Sequence, residues 1–222
     1  MKLIKTIFLF VIVTLLITSC TKTVNEFYPS GRIKSQIQTR NGKEHGVSKY
    51  YNETYGTVIL EVKMKNGMKN GLMRRSYFNG NLEYEANYVK DKLDGVERMF
   101  SNTGQLIVET TYKNGIKEGP YKSWHENGVQ FAKGAFKNDL QDGKWEFYDE
   151  RELLMGEATF SQGTGEQMAY DFNGVLERRT IYKKGMKDGE ETHYTPNGEV
   201  LKVILYKEDH IVEVRENLIE KN

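Results

Sequence analysis

Apolar and polar residues change places over short runs, five to eight residues long, and the runs are bounded by glycine, asparagine or aspartate. Leu106-Ile107-Val108-Glu109-Thr110-Thr111-Tyr112 is one; Val129 to Phe136, Val175 to Tyr182 and Val200 to Tyr206 are others. Between them lie Tyr121 to His125, Lys144 to Tyr148 and Glu190 to Tyr194. β-Branched and aromatic residues dominate. No run keeps helical apolar spacing, and glycine intervenes before an ordinary helix could be completed. The pattern predicts strands throughout.

The runs recur. One glycine returns as Gly46, Gly71, Gly95, Gly119, Gly143, Gly165 and Gly189, in steps of 25, 24, 24, 24, 22 and 24 residues. A second returns as Gly31, Gly56, Gly80, Gly104, Gly128, Gly174 and Gly198, with Glu152 in the open slot. Two series sharing one spacing mark an internal repeat. Asn41-Gly42, Asn66-Gly67, Asn79-Gly80, Asn114-Gly115, Asn127-Gly128, Asn173-Gly174 and Asn197-Gly198 supply residues that tolerate positive φ, as tight reversals require. Glycines four apart, such as Gly115 and Gly119, fit a longer loop closing on a left-handed residue. Asp94, Glu118, Asp142 and Asp188 precede the first series, where a short acceptor can cap backbone N–H groups. Connections this short join antiparallel neighbours.

The expected fold is all-β: an elongated antiparallel sheet, or open solenoid, of about eight tandem 24-residue β-hairpins over residues 28–208. Residues 209–222 add a terminal strand and a charged cap. Two rows of large side chains should pack neighbouring units, one through Tyr51, Phe100, Trp124, Tyr148, Tyr170 and Tyr194. The other runs through Met64, Tyr88, Tyr112, Phe136, Phe160, Tyr182 and Tyr206.

With 222 residues, 38% apolar and 28% charged, the chain has the composition of an ordered protein. Met1 to Ser19 combines Lys2 and Lys5 with an apolar run, Ile7 to Ile17, too short to span a bilayer. Ile17-Thr18-Ser19-Cys20 resembles the lipobox of bacterial lipoproteins, which implies cleavage before Cys20 and lipid on its sulfur. Residues 20–27 then read as lipidated Cys and linker. Thr21 and Lys22 follow in place of the Asp that directs inner-membrane retention, which implies a bacterial outer membrane anchor facing the periplasm. Loss of Lys2 and Lys5 takes the formal charge from +1 to about −1. No basic stripe remains, so nucleic acid is not an expected partner.

The unit Tyr112-Lys113-Asn114-Gly115-Ile116-Lys117-Glu118-Gly119, followed by aromatics and another Asn-Gly, resembles the MORN-type repeat in its bacterial variant form. It is also similar to the YwqK-like antitoxins. The match covers about Tyr28 to Tyr206. Asp91 and Asp139 depart from it by standing where a loop glycine is expected, Met64 replaces an aromatic, and the loop from Phe160 to Gly165 is two residues short. The resemblance implies a scaffold-like sheet contacting proteins or lipids, and the antitoxin label implies neutralisation of a toxin by binding.

Catalytic signals are lacking. His45, His125, His193 and His210 fall at different phases of the repeat, without metal-ligand spacing, and no glycine loop leads into a helix to cradle a phosphate. Ser123 and Ser161 have no base at a recognisable spacing. No enzyme activity, cofactor or metal is expected. Tyr121, Trp124, Trp145, Phe147 and Tyr148 form the densest aromatic cluster, readable as a partner-binding patch or as the packing row of a thin sheet. A strictly extended strand cannot hold Trp145 and Tyr148 on one face, so one points outward or a bulge intervenes. The leading functional reading is a membrane-anchored protein that binds a toxin. The alternatives are a structural scaffold or spacer of the envelope, and a module for glycans or lipid head groups.

Overall fold

The computed structural model describes residues 20–216; the expected signal segment, Met1 to Ser19, and residues 217–222 of the expected cap lie outside them. All regular structure in the described residues is β. The strands are β1 (Lys22–Phe27), β2 (Ile33–Arg40), β3 (Lys43–Glu44), β4 (Gly46–Tyr51), β5 (Val58–Lys65) and β6 (Met68–Ser76). They continue as β7 (Leu82–Val89), β8 (Lys92–Phe100), β9 (Leu106–Lys113), β10 (Ile116–Trp124), β11 (Gln130–Lys137) and β12 (Leu140–Tyr148). The last are β13 (Leu154–Ser161), β14 (Thr164–Tyr170), β15 (Leu176–Lys183), β16 (Met186–Tyr194), β17 (Val200–Lys207) and β18 (His210–Glu216). They form one antiparallel sheet in which each strand pairs with its sequence neighbours, β3 and β4 together serving as one. Among the described residues, β1 and β18 are the two end strands of the sheet. The first is a correction: Lys22–Phe27, expected as a linker, is a paired strand, so the sheet begins two residues after Cys20.

Successive reversals lie on opposite margins: those after β1 and after each even-numbered strand from β4 onward on the far one, and those after β2 and after each odd-numbered strand from β5 onward on the near one. On the near margin, next to Cys20, the turn is two residues long with both at positive φ, as at Asn114 (53°) and Gly115 (86°). This type I′ geometry matches the twist of paired strands. The longer loop expected there is absent, because residues 116–119 already belong to β10. In β10 the ladder steps by two residues between Lys117 and Tyr121, and Gly119 sits in that bulge at φ 117°. Pairing of β13 with β14 has no such step, which accounts for the unit that is two residues short.

Asp91 and Asp139 occupy the second turn position at φ 66° and 67°. Each Oδ1 accepts a hydrogen bond from the preceding unit, from Lys69 N at 2.7 Å and Lys117 N at 2.8 Å. The residues that depart from glycine therefore add a bond between units. The acidic residues before the glycines act in the opposite direction: Asp94, Glu118 and Asp142 accept from Asn114 N, Asn138 N and Gln162 N of the following turn.

Directly opposed residues share a face. One face carries the row Ser48, Val62, Met73, Ala86, Glu97, Thr110, Tyr121, Gly134, Trp145, Ala158, Gln167, Thr180, Glu191 and Ile204. This inner row alternates small with bulky side chains from Thr110 to Glu191. Its densest part is Trp145, Ala158 and Phe160, against which Tyr121, Phe136, Phe147 and Tyr182 pack. Trp145 is only 2% exposed, although the sheet has a single layer. The ring is covered because it spreads over Gly134, where a Cβ would come within 2.2 Å of the indole.

The outer face carries a row of charges, one per strand: Lys49, Glu61, Arg74, Glu85, Arg98, Glu109, Lys122, Lys133, Glu146 and Glu157. Signs alternate from Lys49 to Lys122. Arg74 and Arg98 both reach Glu85, at 2.7 and 3.5 Å, and Arg98 also reaches Glu109 at 2.8 Å. Hydrogen bonds from Lys133, Lys144 and Tyr148 hold the Glu146 carboxyl down at about 2.

Two outcomes test this packing. Gly134→Ala should destabilise the sheet by about 1–3 kcal/mol through collision with Trp145, measured as a lowered urea midpoint. Gly174, which has open space but φ 80°, should lose only about 1 kcal/mol on the same change. The depressed Glu146 carboxyl contributes stability that is present above its unfolded value and lost as pH falls through the folded one. Glu146→Gln should therefore lower stability at neutral pH by under about 1 kcal/mol, since its lysine partners are exposed. That difference should close between about pH 4.5 and 2 in urea titrations.

Candidate interaction surfaces

The five aromatic residues singled out in the sequence do not form one patch. Tyr121, Trp145 and Phe147 share the inner face, with ring centroids 5.3 Å apart for Tyr121 and Trp145 and 6.2 Å for Trp145 and Phe147. Phe136 joins them edge-on to both Tyr121 and Trp145. Bulges before Trp124 and before Tyr148 break the alternation at the strand ends. The Tyr148 hydroxyl donates to Glu146 at 2.9 Å, and Lys133 Nζ lies 5.4 Å from the ring centre, which places Tyr148 with the outer charges. Trp145 is a core side chain and is not presented to a partner. Its indole N–H is used internally, donating to the Ala135 carbonyl at 3.2 Å.

The inner face also holds two polar clusters that the aromatic pattern did not reveal. Glu97 accepts from the Tyr84 hydroxyl at 2.9 Å, and Tyr84 and Tyr88 hydroxyls lie 3.1 Å apart. Burial, with Glu97 close by, pushes the Tyr112 hydroxyl up to about 12; burial raises Tyr84 further. In the second, Glu191, 4% exposed, accepts from Lys187 at 2.5 Å, His193 at 3.0 Å and Thr180 at 3.2 Å. Burial opposes its charge, and these donors nonetheless keep the carboxyl below its ordinary value. Glu97 and Glu191 both stand two residues after a repeat glycine, the position Tyr121 and Trp145 fill elsewhere. That offset was the signal available in the sequence.

Each histidine has a separate engagement. His45 meets Asn66 at 3.3 Å, His125 the Tyr148 carbonyl at 3.0 Å, and His210 the Glu208 carbonyl at 2.8 Å, while His193 serves Glu191. Among the described residues no three His, Cys, Asp or Glu side chains converge as a metal site would require.

The margins differ in chemistry. Near-margin turns contain Arg40, Lys43, Lys65, Lys90, Lys92, Lys113, Lys137, Lys183, Lys184 and Lys207 against Asp91, Asp139, Glu208 and Asp209. Far-margin turns contain Glu53, Glu126, Asp149, Glu150, Glu152, Asp171 and Glu199 against Arg32 and Arg151. Far-margin turns are stacked by bonds between units: Tyr28 and Tyr77 hydroxyls donate to the carbonyls of Tyr51 and Phe100 at 2.7 and 2.9 Å. At their tips Tyr55 and Phe78 are each 70% exposed, and Phe172 67%. Beside Phe78 a groove of about 420 Å³ is lined by Ile59, Leu60, Arg75, Tyr77 and Glu83. Sequence reasoning passed over these rings, because an aromatic residue inside a tight turn belongs to neither strand pattern.

Cys20 is a free, exposed thiol at the near-margin end of β1, where Lys22 pairs with Thr39. No helix in the described residues is long and apolar enough to cross a membrane. Comparison with curated proteins finds no match. Residues 69–90, 93–114 and 187–208 match the family model described as the MORN repeat variant. Each matched segment runs from one type I′ turn to the next, through a strand, a far-margin turn and the following strand. The chain is thus a repeat protein carrying three segments similar to the MORN repeat variant, within a sheet that extends the same hairpin geometry beyond them.

Proposed function

We propose that this chain is a non-enzymatic binding protein, held to a bacterial outer membrane by lipid on Cys20, that neutralises a protein toxin by gripping it along the far margin. The carrying observation is the placement of the exposed rings. Tyr55 and Phe78 project at the margin opposite Cys20, in the units nearest the tether; Phe78 lines the groove, and Tyr55 stands in a turn whose Glu53 and Thr54 carbonyls accept from Arg32. Exposed aromatic residues rimmed by charge are the composition of binding hot spots. The acidic excess of the far margin further along the sheet favours a partner with a basic surface.

The tether follows from Cys20 and the segment before it. With β1 starting at Lys22, the lipid would hold the near-margin end of the first strand at the bilayer and leave the far margin of the first units turned away from it. The toxin-neutralising role comes from the resemblance of the repeat unit to YwqK-like antitoxins. The perturbed acid–base groups support a role without catalysis: Glu146, Glu166, Glu191 and Arg179 are engaged in ion pairs within the sheet.

Cys20→Ala should move the exported protein from the membrane fraction to the soluble one; unchanged membrane association would remove the lipid anchor from this reading. Co-expression with the product of an adjacent toxin gene should restore growth. A Tyr55→Ser and Phe78→Ser double variant, folded by circular dichroism, should weaken capture of that toxin by about 100-fold, two hot-spot truncations of about 1.4 kcal/mol each. Undiminished capture would exclude the far margin as the grip.

A further inference from the structure

The two margins are joined along the sheet in different ways. On the near margin the second residue of every turn from Gly67 to Asp209 donates its backbone N–H to the preceding unit, as Gly67 does to the Glu44 carbonyl at 2.8 Å, Gly115 to Leu93 at 2.7 Å and Asp209 to Lys187 at 2.9 Å. On the far margin each turn closes on itself, at residues 28–32, 52–57, 77–81, 101–105, 125–129, 149–153, 171–175 and 195–199. Among the described residues, only side chains form hydrogen bonds from one of these turns to the next.

Those side-chain ties alternate. Tyr28 donates to the Tyr51 carbonyl at 2.7 Å, Tyr77 to Phe100 at 2.9 Å and His125 to Tyr148 at 3.0 Å, which joins the first far-margin turn to the second, the third to the fourth and the fifth to the sixth. A second bond backs each: Ser30 donates to the Glu53 carboxylate and Asn79 to the Asn102 carbonyl, both at 2.8 Å, and Asn127 to the Glu150 carbonyl at 3.1 Å. The second, fourth and sixth turns begin instead with short acceptors that serve their own turn. Asn52 Oδ1 accepts from Thr54 N at 2.8 Å, Ser101 Oγ from Gln105 N at 3.1 Å and Asp149 Oδ1 from Arg151 N at 2.8 Å. Gln105 lies against Gly128 of the fifth turn, yet its amide donates to its own neighbour, the Leu106 carbonyl, at 3.0 Å. Among the described residues no hydrogen bond or ion pair joins the second far-margin turn to the third, the fourth to the fifth or the sixth to the seventh.

We infer that the sheet is jointed: it opens at the far margin between the second and third turns, the fourth and fifth, and the sixth and seventh, while the near margin serves as an unbroken hinge line. Strand ladders cross tied and untied boundaries alike, as β7 with β8 and β5 with β6 show, so the difference is confined to the hairpin ends nearest the far margin. One net hydrogen bond shifts the balance between closed and locally open states about fivefold. The first joint is also the mouth of the groove, whose walls are Ile59 and Leu60 on one side of it and Arg75, Tyr77 and Phe78 on the other. A partner side chain entering there widens a boundary that no side-chain bond holds shut. This placement rests on the far-margin grip proposed above, whereas the joints themselves can be measured with no partner present.

Amide hydrogen exchange on the whole chain, resolved by residue, decides the matter. Far-margin ends of the β5–β6 and β9–β10 hairpins should exchange at least about fivefold faster than those of β7–β8 and β11–β12. Tyr77→Phe keeps the ring and removes the donor, and should speed exchange about fivefold at the far ends of β7 and β8 alone. His125→Phe should do the same for β11 and β12. Circular dichroism of each variant guards against misfolding. Equal exchange at tied and untied boundaries of the parent overturns the inference, as does either variant leaving its own boundary unchanged. So does a variant that speeds exchange evenly along the sheet, which would mean that the whole sheet opens as one. Capture of the toxin undiminished by the Tyr55→Ser and Phe78→Ser double variant would remove the grip and leave the joints standing.

Discussion

Among the described residues, each strand of this sheet is held by the strands beside it, with no second layer above or below. The backbone ladder therefore cannot be separated from the packing, because the only cover available to a side chain comes from neighbouring strands. That constraint explains why bonds between units concentrate at the margins. Asp91 and Asp139 reach back to the preceding unit, Asp94 and Glu118 reach forward, and the Tyr28 and Tyr77 hydroxyls tie the far-margin turns. Stability in such a sheet is a sum over adjoining units, and its two ends carry the unbalanced remainder.

The strands were legible in the sequence because the turns were. An Asn-Gly pair at a fixed interval states both where the chain reverses and, through its positive φ values, the hand of the reversal. The glycine four residues later was read as closing a loop, whereas at Gly119 it accommodates a bulge inside the strand. The two are hard to separate from sequence, since both require a left-handed residue at the same offset. Lys22–Phe27 was missed for a different reason. An end strand exposed on both faces has no apolar side to display, so its composition is that of a linker.

The face taken by each aromatic ring was less legible, and the bulges are the cause. Each inserts a residue and switches which face the following side chain takes, so counting by two from Trp145 gives the correct face for Phe147 and no reliable answer for Tyr148. Exposure was misjudged in the same way. Trp145 is prominent in the sequence and nearly inaccessible in the fold, while Tyr55, Phe78 and Phe172, unremarked in their turns, are among the most exposed rings.

The inner row shows how far one repeat can vary without losing the sheet. At the position two residues after the glycine stand Met73, Glu97, Tyr121, Trp145 and Glu191, which differ in size and charge. Each is accepted because its neighbours answer it. Gly134 and Ala158 make room for the Trp145 ring, Tyr84 donates to Glu97, and Thr180, His193 and Lys187 compensate Glu191. The turn chemistry is repeated and the inner contacts are individual, so units share a backbone while remaining specific to their places. A sheet assembled in this way keeps its register at the margins, and its exposed turn tips are free to differ from unit to unit.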